Sequence, residues 1–335
     1  MTKNDSKIYK TAVGALASLA LMLSPAVVAD EPGSGITVRP VEGTNIEEKF
    51  QHRILYRALE ALGYEIAEPQ EVEYQTMHLV IGAGDNDFSA VHWDPLHQAF
   101  YDESGGGKTL RRVGSLVAGA LQGYLVDKES YEAGITNLGD LKNPSIAKRF
   151  DGDGDGKADL TGCVPGWGCE RVIEHHLDEY GLRDTVVHNQ GAYSAIIADT
   201  IARHNQGEPI VYYTWTPYWV SGVLIPGDNV EWLEVPYSSL PDDRKDNTVF
   251  QDKNLGFAVN SLRVIANESF LQSNPAVEKL FEVATIDIND VSLQNSKIRD
   301  GEDSSADIDR HVEEWIINNR ADFDAWLAAA RKAAQ

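Results

Sequence analysis

The chain has 335 residues, of which 29 are basic and 52 acidic, giving a formal net charge of −23, and it carries two cysteines. So large an acidic excess argues against nucleic acid as a partner, and a hydrophobic fraction of 42% is that of a globular chain with a real core. The length exceeds one typical domain, so two lobes are expected.

Lys3, Lys7 and Lys10 precede an apolar run from Thr11 to Val28, which ends Val27-Val28-Ala29 before Asp30. This is the pattern of a secretory signal over residues 1–29, removed on export. As a membrane anchor the run is barely long enough, and Gly14, Ser18, Ser24 and Pro25 interrupt it. Losing a leader with three lysines and one aspartate takes the formal charge from −23 to −25. The mature chain is then expected to be soluble in an oxidising compartment, with an acidity that also suits a saline exterior.

Beyond the leader, strand-like and helix-like segments alternate without a fixed repeat, the pattern of an α/β protein. A strand is predicted over residues 35–40. Thr44 and Glu47 are spaced as a capping box, followed by Ile46, Phe50, Ile54, Leu55, Ala58, Leu59 and Leu62 at helical spacing, with Gly63 placed to end the helix. Residues 88–92 read as a buried strand that delivers Trp93 to its end, with Pro95 opening the next helix. Gly105-Gly106-Gly107-Lys108-Thr109 resembles a phosphate loop, but Asp102 stands where its first glycine belongs. Ser145-Ile146-Ala147-Lys148 lacks the companion motifs of a penicillin-recognising enzyme.

Asp151, Asp153, Asp155 and Asp159 alternate through a glycine-rich turn like the start of a calcium loop, although Gly162 replaces the bidentate glutamate at the twelfth position. This leaves a structural calcium and an acidic surface turn as equal alternatives. Cys163 and Cys169 follow. In an exported protein they are expected to close a tight disulfide loop around Trp167, aiming the N–H groups of Gly168 and Cys169 outward at a helix start; free thiols or metal ligands are the alternatives. An aromatic face beside an anion-binding helix start suits a small zwitterion. His175 and His176 read as a solvated helix face. A helix over residues 192–204 leads to a strand over 209–214, which delivers Trp215 ahead of Thr216-Pro217. Trp219, one turn on, stays open between ligand contact and packing, whereas Trp232, Trp315 and Trp326 are assigned to packing.

The stretches Ala90-Val91-His92-Trp93-Asp94-Pro95-Leu96-His97, Gly162 through Glu170, and Tyr212-Tyr213-Thr214-Trp215-Thr216-Pro217-Tyr218-Trp219 resemble the periplasmic glycine betaine/proline betaine-binding proteins of osmoregulatory ABC importers. The resemblance runs from about Gly35 to the C-terminus. It implies a two-lobed type II periplasmic binding protein fold with a two-crossover hinge, lobe 1 from residues 30–123 and 256–335 and lobe 2 from 124–255. It implies a betaine caged by Trp93, Trp167 and Trp215, with its carboxylate held by His97 and the N–H groups of Gly168 and Cys169.

The expected partners are glycine betaine or proline betaine and the membrane permease and ATPase of the importer, with the protein itself monomeric, without catalytic residues and needing no cofactor. A charged His97 would add a charge-assisted hydrogen bond and weaken affinity at alkaline pH. Two rivals remain. One is a binding protein for another quaternary ammonium such as choline, which would gain nothing from the carboxylate clamp. The other is a calcium-dependent secreted hydrolase, suggested by the acidic loop and scattered histidines.

Overall fold

The first long helix, α1 (Lys49–Ala61), turns Phe50, Ile54, Leu55, Ala58 and Leu59 into the interior, as their spacing predicts. Gly63 ends it at φ +86°, a left-handed conformation that favours glycine, and the Tyr64 N–H returns to the Leu59 carbonyl. The computed structural model describes Met1 and residues 31–335; the rest of the expected leader lies outside the described residues. The capping box does not form. A 3₁₀ turn, Ile46–Glu48, precedes α1 without a side-chain cap, Thr44 Oγ1 donates instead to Glu73 Oε1 at 3.2 Å, and Glu47 is buried rather than reaching back.

A seven-stranded sheet organises the chain: β1 (Phe88–Asp94), β2 (Leu110–Asp127), β3 (Ala158–Thr161), β4 (Val186–Asn189), β5 (Val211–Thr216), β6 (Val230–Trp232) and β7 (Asn260–Asn267). The spatial order is β1-β7-β2-β5-β3-β4, with β6 also on β2. β2 changes partners along its length. Leu110 to Ala120 pair antiparallel with β7, whereas Leu121 to Val126 pair antiparallel with β5, and Leu125 to Asp127 with β6. Two groups of strands thus share one long strand, and the chain returns from the second group to the first where β7 begins at Asn260. β3 lies parallel to both β4 and β5, as expected where helices such as α3 (Gly168–Glu179) and α4 (Tyr193–Asn205) cross over between strands.

Four further helices close the chain: α5 (Pro275–Val283), α6 (Ile288–Arg299), α7 (Ser305–Asn318) and α8 (Arg320–Ala333). They carry Trp315 and Trp326, which pack together with ring centroids 5.8 Å apart. Each such buried ring contributes on the order of 1.5–3 kcal/mol. Trp232 is in β6, half-buried over Gly123. Among the described residues no helix is long and apolar enough to cross a membrane.

On α3, His175 stays half-buried, whereas His176 departs from expectation. His176 is fully buried, its ring stacked on Tyr180 with Nδ1 bonded to the Tyr124 hydroxyl and Nε2 to the Ser239 carbonyl. An aromatic interior with two hydrogen-bond partners satisfies an imidazole as well as water does; burial takes its pKa down to about 4.

Candidate functional site

β1 is buried almost throughout and brings Trp93 to its end, where the next residues turn sharply. Pro95 does not open a helix; it follows a cis peptide bond, and the helix begins at Gln98. The turn is closed from both sides. The His97 N–H donates to the Trp93 carbonyl at 2.7 Å, the Trp93 N–H donates to His97 Nδ1 at 3.3 Å, and the Leu96 N–H donates to Asn260 Oδ1 at 3.0 Å. The Trp93 indole N–H donates to Glu48 Oε1 at 3.1 Å.

The cysteine loop is bridged as expected between Cys163 and Cys169. Gly166 sits at φ +89°, and its N–H donates to Glu170 Oε2. His188 supports the loop from below. It accepts the Cys163 N–H at 3.0 Å through Nε2 and donates through Nδ1 to Glu174 of α3. Trp167 is the N-cap residue of α3, with no side-chain cap. Glu170 bonds back to the Trp167 carbonyl, but among the described residues the N–H groups of Gly168 and Cys169 have no acceptor. They are the free donors at the positive end of a helix dipole.

β5 delivers Trp215, which packs on Tyr193 at 4.6 Å and Tyr218 at 4.3 Å and lies edge-on to Trp167 at 5.7 Å and 68°. These elements line one pocket, whose ≈ 300 Å³ of empty space includes solvent at its mouth. All six residues expected to touch ligand line it: Trp93, His97, Trp167, Gly168, Cys169 and Trp215. Tyr74, Tyr213, Glu48, Asn45, Leu96 and Gln122 complete the lining, and none of these was singled out from the sequence. Tyr213 and Leu96 had a signal, each lying inside one of the motif stretches. Tyr74, from helix α2 (Tyr74–Ala83), sits between His97 at 4.8 Å and Trp167 at 5.5 Å. Trp219 is not on the cavity wall; it reaches the Glu47 carboxyl instead.

His97 differs from the charged form expected of it. Its burial, with His78 nearby, holds its pKa well below the ordinary histidine value. Because Nδ1 accepts the Trp93 N–H, the proton of the neutral ring is on Nε2. An added Cβ on Gly168 would lie 3.1 Å from His97 Cδ2, beside that nitrogen. Nε2–H and the two free helix N–H groups therefore gather on one side of the cavity as three uncharged donors. Behind them His78 Nδ1 donates to the Tyr74 carbonyl, and His78 Nε2 then accepts from His92 Nδ1 at 2.8 Å. This leaves His92 Nε2 buried and unprotonated, without a partner.

In the acidic loop, oxygens of Asp151, Asp153 and Asp159 converge, but Asp155 is not among them. Its carboxylate accepts the Lys157 N–H at 2.8 Å instead. Asp151 accepts from Gly154 and Gly156, Asp153 from Asp155, and Asp159 from Gly152 and Asn189. Three of the four carboxylates anticipated from the sequence thus converge, and the fourth, Asp155, turns to the Lys157 N–H. Among the described residues two serine–histidine pairs exist, His52–Ser89 and His175–Ser239, and neither lines the cavity.

Residues 38–318 match the family model described as the substrate binding domain of ABC-type glycine betaine transport system. The glycine betaine-binding periplasmic protein OusX of Dickeya dadantii is 50% identical over 327 residues, covering 96% of this chain and 98% of that protein. The glycine betaine/proline betaine-binding periplasmic protein of Escherichia coli is 47% identical over 321 residues, 95% of this chain and 97% of that one. Among solved structures, a choline-binding protein of an ABC transporter in complex with choline aligns with TM-score 0.69 at 20% identity, over 89% of this chain and 96% of that one. Lactococcal OpuAC, closed on glycine betaine, aligns with TM-score 0.66 at 18% identity, over 87% and 99%. At these identities the two structures establish the fold alone, the two-lobed binding-protein architecture.

Proposed function

The chain belongs to the family of substrate-binding domains of ABC-type glycine betaine transport systems, and from that premise we propose that it captures glycine betaine or proline betaine in the periplasm and hands it to the permease and ATPase of an importer serving osmoprotection. One observation carries this reading: three indoles and three uncharged donors line the same cavity. A trimethylammonium group has no N–H to donate, so it is recognised by shape and by electron-rich faces. Each cation–π contact is worth about 0.5–2 kcal/mol, and three supply several of the roughly 8 kcal/mol that a micromolar site requires. The acidic end goes to Gly168 N–H, Cys169 N–H and His97 Nε2–H.

We place the lobes at residues 30–123 with 256–335 and at 124–255. Trp93 and His97 then come from one lobe, and Trp167, Gly168, Cys169 and Trp215 from the other, which makes closure and capture one event. The protein works as a monomer, needs no cofactor and turns nothing over. Choline, which lacks the carboxylate, leaves the donor side unpaired and is expected to bind at least about tenfold more weakly than glycine betaine. Tryptophan fluorescence titrations with glycine betaine, proline betaine and choline, together with a search for product, check this. Choline binding as tightly as betaine, or a betaine consumed, contradicts it.

A further inference from the structure

One cavity wall is a carboxyl group for which neither cage nor clamp accounts. Glu48 is 4% exposed; Oε1 accepts the Trp93 indole N–H, while Oε2 is buried without a hydrogen-bond partner, although the Tyr74 hydroxyl is close enough to act on it. Every group that faces it is neutral or acidic. Trp93 of β1 and Tyr74 of α2 offer uncharged donors, and Glu42 and Glu47 add negative charge. His52, one turn along α1, uses Nδ1 on the Glu48 carbonyl and Nε2 on Ser89 and the Ala90 N–H, and burial lowers its pKa. Lys49 pairs with Glu71. Among the described residues Glu48 has no ion-pair partner. Burial raises its pKa to about 8, which makes it a neutral acid at pH 7.

We propose that Glu48 is the counter-ion of the onium head, releasing its proton to solvent as the methylated cation enters and regaining it when the ligand leaves. The inference rests on the betaine reading above. The cavity offers the cation three rings but no net charge, and the cation offers the buried carboxyl the opposite charge that it lacks. The indole bond couples the two: Trp93 donating to an ionised oxygen is held more firmly, with its ring polarised toward the ligand. The sign of the linkage follows. Where binding releases a proton, affinity rises with pH until the free group is itself ionised, near pH 8, and then levels.

Calorimetric titration of glycine betaine into the mature protein, in buffers of different ionisation enthalpy, counts the proton directly. The wild type is expected to release close to one proton per ligand at pH 7, with affinity rising roughly 25- to 50-fold from pH 6 to pH 8. The Glu48→Gln variant is expected to release none and to show no slope, binding about tenfold more weakly than wild type at pH 8. Betaine binding by the wild type with no proton released overturns the proposal and leaves the betaine reading standing. Failure of the folded wild type to bind any betaine overturns that reading itself. The proton count on wild type decides the matter even if E48Q does not fold.

Discussion

At His97 two ways of holding a carboxylate compete, and the surroundings choose between them. A charged imidazole attracts an anion more strongly, but this ring is 1% exposed, close to His78, and bonded at Nδ1 by a backbone N–H. A neutral ring with its proton on Nε2 is the form these neighbours allow. Affinity should therefore not fall between pH 7 and pH 9, the opposite of what a charged clamp demands, and the E48Q variant isolates the effect: its betaine affinity is expected to stay flat over that range. A steep alkaline loss in E48Q returns His97 to the charged role. Trp93, Trp167 and Trp215 were legible in the sequence because each sits beside Gly or Pro at a turn and inside a long motif. Glu48 and Tyr74 were not. An acid and a tyrosine at helix starts look like capping and packing residues, and only the folded chain brings them against Trp93 and Trp167.

The element that matters most is the start of α3. The disulfide, the His188–Glu174 pair and the glycine turn at 166 fix where its first two N–H groups lie. Gly168 also approaches the opposite turn so closely that a Cβ would meet Leu96 Cγ at 3.0 Å and His97 Cδ2 at 3.1 Å. Gly168→Ala is accordingly expected to weaken betaine binding by about tenfold or more, while the melting temperature of the ligand-free protein changes little. Unaltered affinity in this variant breaks the link between close approach and capture. The loop's bridge could be read from cysteine spacing and export alone. The capping box misled because its spacing says nothing about Glu47 being drawn inward toward Tyr218 and Trp219. In the acidic loop, alternation fixes how many carboxylates there are, not where each one turns, and Asp155 turns to the Lys157 N–H.

For the whole molecule, the long strand β2 is the frame, serving β7 with its first part and β5 with its last. Contacts made across the cavity include the edge-on Tyr74–Trp167 ring pair and polar ones, the Trp167 indole N–H to Glu73, Arg244 to the Pro95 carbonyl, Arg171 to Glu103. Such bonds are individually weak where water reaches them, so a ligand that fills the cavity can decide whether the two sides stay together. The alternation of strands and helices made the α/β class legible, and the long motifs made the binding-protein architecture legible. The handover within β2 was not legible at residue precision: Gly119, at φ +81°, immediately precedes it, but Gly114 and Gly123 lie in the same strand and the sequence does not say which of the three marks the change of partner.

The central claim is that indoles from both sides of the cavity hold a methylated onium head. Calorimetric titration of glycine betaine into the wild type and the Trp93→Ala variant tests it most directly. The account predicts micromolar binding by the wild type and a loss of about tenfold or more on removing the ring, roughly one cation–π contact. Equal affinity in the two proteins, or no binding by folded wild type, contradicts it.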